Sequence, residues 1–179
     1  IGLRRGAFAA IVSVVALAAP RPAAACAFHN FTPAPTEIDH LVAAEAVALL
    51  RPAADDPYAF AVHAVLAGAA ETAGPAWLVD AGARRRFAAD PAAALLAAQG
   101  PDGTWSRLGF ADPPSLAMTE AVLEARADWT EGYPEGRFAL AADLLLSPHP
   151  RLRDLGLRDL DQAPYALLRT LPVPPAAQD

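Results

Sequence analysis

Apolar and polar positions change their spacing twice along this chain, and the changes divide it into three stretches. In the first, residues 7–19 (AFAAIVSVVALAA) form an unbroken uncharged run behind Arg4 and Arg5. In the second, Tyr58, Phe60, Val62, Ala64 and Leu66 alternate at period two, the spacing of a strand with two unlike faces. The short run 45–50 (EAVALL) precedes it, separated by a Pro52 and Asp55-Asp56-Pro57 turn, so 45–50 and 58–66 are expected to pair as antiparallel strands. A second pair is expected over 93–98 and 104–110, because Gly100-Pro101-Asp102-Gly103 supplies turn chemistry between them. Between the pairs, 68–75 reads as a loop. Trp77-Leu78-Val79 reads as a short strand or as the lead into a helix over 82–89.

After residue 112 the apolar spacing lengthens to that of helices. Pro113 opens a helix reaching Trp129, with Leu116, Val122 and Leu123 set among Glu120, Glu124 and Asp128. Helices are expected over 137–146 and 151–160, parted by Ser147-Pro148-His149-Pro150, with Asp154 and Arg158 paired at i,i+4. Asp161 is expected to cap a last helix carrying Tyr165, Leu168 and Leu171, and 172–179 to fray. At the front, residues 27–36 read as an extended arm, and Thr36 as the cap of a short helix beginning with Glu37 and Asp39. The predicted class is α+β: a small antiparallel sheet across 26–112, followed by three to four packed helices across 113–171.

The uncharged run is too short for a bilayer-spanning helix, which needs about 20 residues, and suits a signal-peptide core. Ala23-Ala24-Ala25 then meets the small-residue requirement for cleavage, so 1–25 is expected to be a signal peptide and 26–179 one mature domain. Ala24-Ala25-Cys26 resembles the lipobox of bacterial lipoproteins, which implies acylation of Cys26, although Ala23 stands where Leu is usual. Arg4-Arg5 is also similar to a twin-arginine signal, but Phe8 comes one residue late, which leaves ordinary secretion to the periplasm or the outer face of a bacterial membrane. Cys26 is the sole cysteine, so no internal disulfide can form.

With 14 basic against 20 acidic residues the net charge is −6, and loss of Arg4, Arg5 and Arg21 with the signal takes it to −9. Such a surface argues against nucleic acid and against electrostatic docking on anionic lipid, leaving an N-terminal lipid as the route to a membrane. All basic residues are arginine, so Schiff-base and P-loop lysine chemistry is excluded.

Three groups of side chains are candidates for function. Cys26, His29, His40 and His63 offer a thiolate and imidazoles suited to copper or zinc, with Cys26 and His29 forming a Cys-x-x-His at the mature front; acylation of Cys26 would remove its thiolate. Otherwise these histidines are structural and no cofactor is needed. Arg84-Arg85-Arg86 could hold an anion, against the simpler account of a solvated helix face. Trp77, Trp105, Phe110, Trp129, Tyr133 and Phe138 could line a groove, against core packing. Ser106, Ser115 and Ser147 lie outside any G-x-S-x-G elbow, and H-E-x-x-H and C-x-x-C are missing, so catalysis has little support.

Partial resemblances accompany these readings. The pair of helices around Ser147-Pro148-His149-Pro150, the second reading LRDLGLRDLD, resembles one unit of a HEAT-type repeat, and without a further copy it implies a cap on the sheet. The front, a Cys followed by an arm, a helix, VALL and FAVHAVLAG, resembles the secreted netrin-like OB barrels, whose further cysteines this chain lacks. CAFHNFTPAPT with LRDLDQAPYALLR is similar to uncharacterised exported bacterial proteins. The sequence thus leads to an exported, non-catalytic binding protein of the cell envelope, with periplasmic copper or zinc binding as the alternative.

Overall fold

The computed structural model describes residues 33–70 and 73–171. It opens with helix α1 (Glu37–Val42), which begins where Thr36 and Asp39 form a reciprocal capping box: the Thr36 N–H donates to the Asp39 carboxylate at 2.6 Å, and the Asp39 N–H to the Thr36 hydroxyl at 3.4 Å. Strands β1 (Ala46–Pro52), β2 (Ala59–Ala67) and β3 (Ala73–Leu78) follow, then helix α2 (Ala81–Ala89), then β4 (Leu95–Gln99) and β5 (Trp105–Phe110). All neighbours pair antiparallel in the order β3-β2-β1-β4-β5. The sheet curls into a half-barrel of OB-like connectivity, with α2 in the β3–β4 connection and the edges β3 and β5 left unpaired to each other.

Both expected strand pairs are present, and β1 joins them through its register with β4, Ala46 opposite Gln99 and Leu50 opposite Leu95. The β4–β5 turn closes as the Gly/Pro/Asp cluster predicts: Gly103 takes φ +78°, and Asp102 accepts from the Thr104 N–H at 3.0 Å. One boundary differs. Strand β3 begins at Ala73, inside the expected loop, and contains Pro75, which a strand tolerates at a sheet edge where its missing N–H leaves no ladder bond unmade.

β1 over Ala46–Leu50 and β4 over Leu95–Ala98 pack against a core on both faces, which accounts for the unbroken apolar sequence of those stretches. Val47, Leu96 and Ala98 point into one core with Ile38, Leu41, Met118, Val122, Leu152 and Leu155. Ala48, Leu50, Leu95 and Ala97 point into a second core with Phe60, Val79 and Ala83, bordered by Trp77, Phe87, Trp105 and Phe110.

The helical half comprises α3 (Pro113–Ala125), a 3₁₀ turn (Arg126–Trp129), α4 (Glu135–Leu145), α5 (Pro150–Leu160) and α6 (Tyr165–Leu168). Asp112 caps α3 by accepting from the Ser115 N–H at 2.9 Å. Two expected details change. Asp161 closes α5 instead of opening α6, whose N-cap is Pro164, and Arg158 donates to the Asp154 backbone carbonyl at 3.4 Å instead of to its carboxylate. Helices α4 and α5 cross so closely that a Cβ on Gly156 would lie 2.6 Å from the Ala141 carbonyl oxygen and 2.9 Å from the Leu144 Cβ. Gly156→Ala is therefore expected to lower stability by about 1–3 kcal/mol through overpacking, despite the better helix propensity of alanine. A fall in the urea midpoint checks this; an unchanged or higher midpoint would show that the crossing gives way freely.

A candidate ligand face on the half-barrel

Helix α2 covers the concave face of the sheet. Asp80 starts it, accepting from the Ala83 N–H at 2.8 Å, a bond that together with Arg107 holds the Asp80 carboxyl below its ordinary pKa. From α2, Ala83 and Phe87 turn inward, and Phe87 meets Phe60 and Phe110 edge-on at 6.3 and 5.4 Å between ring centroids. The three arginines cannot all share that inward face, because successive helical residues diverge by about 100°. Arg84 lies over the Tyr58 ring at 4.6 Å and Arg86 over Phe110 at 5.6 Å, while Arg85 is exposed.

Arg107 of β5 reaches toward the opposite edge, standing 5.4 Å from the Trp77 ring of β3 and 3.4 Å from the Asp80 carboxylate. It thus spans by side chain the two edges that no backbone ladder joins. Among the described residues, Arg84, Arg85 and Arg86 form no ion pair, although the chain is net acidic. Two large apolar side chains lie at the same end of the sheet, Tyr58 at 53% and Leu78 at 76% exposure, linked through the Val79 N–H bond to the Tyr58 carbonyl. The result is a surface of guanidinium groups set on aromatic rings, with exposed apolar area beside them. Guanidinium stacked in this way keeps its N–H edge free for carboxylate or phosphate oxygens.

The other candidates separate. His40 sits on the last turn of α1 beside a hollow of about 490 Å³ shared with Ala43, Ala98 and Asp102, whereas His63 is exposed on β2. No group of three or more His, Cys, Asp or Glu side chains is placed to hold a metal among the described residues. Cys26 and His29, with the expected signal peptide and acylation position, lie outside the described residues. The six aromatic residues fall into three clusters: Trp77, Trp105 and Phe110 border the concave core, Trp129 belongs to the helix-side core, and Tyr133 and Phe138 pack against Ala141 and Leu160.

Sequence reading passed over a buried polar network. Arg137 on α4 pairs with Asp159 on α5 at 2.5 Å and with Asp39 on α1 at 2.7 Å, and Asp159 also accepts from Tyr133 at 2.8 Å and Thr36 at 2.9 Å. Asp159 is fully buried and Arg137 nearly so. Burial pushes the Asp39 carboxyl up, but the Thr36 N–H, Gln162 and Arg137 outweigh it and hold the group below its ordinary pKa. Tyr133 is raised by burial and by its bond to Asp159. With every buried side-chain polar atom among the described residues partnered, the network ties α1 to α4 and α5. A sequence signal existed: Asp159 sits on the buried stripe Leu152, Leu155, Asp159, and Arg137 on the stripe Arg137, Ala141, Leu144. Asp159→Ala is expected to cost on the order of 3 kcal/mol by leaving Arg137 undercompensated; a loss well under 1 kcal/mol in denaturant titration would show that Asp39 suffices.

A second arginine, Arg151 of α5, donates to the Leu108 carbonyl on β5, to the Ser115 hydroxyl at 2.7 Å and to Glu37 at 2.7 Å. Gly109, at φ +121°, leaves the space its guanidinium fills. Burial raises the Glu37 pKa above 4.5 even against Arg151. A raised folded-state value contributes stability fully below the unfolded pKa and loses it as pH rises through the folded one. Glu37→Gln is accordingly expected to match or exceed the wild type in thermal midpoint at about pH 7, with the difference vanishing near pH 3; a lower midpoint at neutral pH would give the ion pair the larger share.

Compared with known proteins, the chain matches no family model, no curated protein and no solved structure.

Proposed function

We propose that this chain is an exported, non-catalytic binding protein of the bacterial cell envelope, and that its α2 face receives acidic groups of an envelope component. The arginine run carries the reading: Arg84, Arg85 and Arg86 lack ion-pair partners among the described residues, and Arg84 lies over the exposed Tyr58 ring. Arginine and tyrosine beside desolvated apolar area is the composition of protein-binding hot spots. An unpaired cation cluster on an acidic chain offers charge complementarity to a partner of opposite sign. Export rests on the leader pattern of residues 1–25, with Cys26 as the position for a membrane-holding acyl group.

Two measurements test it. A labelled oligoglutamate peptide is expected to bind the wild type and to bind R84A/R85A/R86A at least about tenfold more weakly. Equal binding by both, or none by the wild type, removes the face from function. Intact mass of the protein recovered from a bacterial host is expected to correspond to residues 26–179, alone or carrying diacylglycerol and an acyl chain; retention of residues 1–25 counts against export.

A further inference from the structure

The proposed docking face has a complement on the same chain. Glu120 and Glu124 of α3 and Asp128 of the following 3₁₀ turn are exposed at intervals of four residues, opposite the buried Ser115, Met118, Thr119 and Val122. Four-residue spacing sets helical side chains about 6 Å apart on successive turns, so these carboxylates repel one another mildly. None forms an ion pair among the described residues.

The sheet stands between the two charged faces. Ala83 and Phe87 of α2 pack on its concave side with Leu50 and Leu95, whereas Met118 and Val122 of α3 pack on the other side with Val47 and Leu96. One copy cannot bring its own arginines to its own carboxylates.

We propose that the basic face of α2 in one copy of this chain docks on the acidic face of α3 in a second copy, Arg84, Arg85 and Arg86 meeting Glu120, Glu124 and Asp128. The inference rests on the reading of the α2 face as a receiver of acidic groups, and names its occupant. Net charge opposes association at long range, but at physiological salt the Debye length is about 8 Å, so distant repulsion is screened while pairs in contact persist. Because the two faces differ, the contact is head-to-tail, and it extends into a chain of subunits unless its rotation closes a ring.

Sedimentation velocity of the purified protein over a concentration series tests this directly. At about 0.15 M NaCl the mass is expected to rise above that of one chain with concentration, and to return to it near 1 M, where the Debye length is about 3 Å. The charge reversals R84E/R85E/R86E and E120R/E124R/D128R, all but one at exposed positions, are each expected to sediment as single chains. Mixed in equal amounts, they restore association, since each then offers the face its partner lacks. A wild type that stays a single chain at every concentration, or a mixture that fails to associate, overturns the proposal. A single-chain protein that still binds oligoglutamate through Arg84–Arg86 sinks self-association alone and points to a foreign acidic partner; failure of both sinks the shared premise.

Discussion

From Ala46 to Leu50 strand β1 turns apolar side chains into a core on each face, and most of the architecture answers that constraint. Val47 and Leu49 need a cover on one side of the sheet, Ala48 and Leu50 on the other. Helices α1, α3 and α5 provide the first, and α2, inserted between β3 and β4, provides the second. Burying each large aliphatic side chain contributes about 1.5–3 kcal/mol, which is why a strand of alanine, valine and leucine can organise two cores at once.

Covering the concave face also places the arginines. Helix α2 must turn Ala83 and Phe87 inward, and the 3.6-residue period then sends Arg84 and Arg86 toward rings at its flanks and Arg85 to solvent. The proposed ligand face is thus a by-product of core geometry as well as of charge. The two sheet edges are protected in different ways, β3 by Pro75 and β5 by the Arg151 guanidinium on the Leu108 carbonyl, so intermolecular strand addition is a poorer fit to this sheet than side-chain docking.

The Arg137–Asp159 pair serves a separate purpose. Buried ion pairs are weak sources of net stability, because desolvation offsets most of their attraction, but they tolerate few alternative arrangements. Here the pair and its partners Thr36, Asp39 and Tyr133 set how α1 lies against α4 and α5.

Much of the fold was legible in the chain itself. Period-two alternation at 58–66, the Gly100–Gly103 turn, the Thr36 cap and the prolines at 113 and 150 act over a few residues, so local rules located β2, the β4–β5 hairpin and the starts of α1, α3 and α5. The OB-like curl was reachable only as a resemblance, since strand order depends on β1 pairing with β4 across more than forty residues of chain. Edge position let β3 run through Pro75, a fact no local pattern carries. The arginine run was visible as a cluster, but Tyr58, Leu78 and Arg107 come to it from three different strands or their ends, and the Arg137–Asp159 partnership joins two helices. Sequence determined most of the strands and helices, because side-chain periodicity, capping and turn chemistry are local, while β3 had to await its place at the sheet edge; tertiary structure alone decided which charges are buried together and which face outward, because burial depends on what the rest of the chain covers.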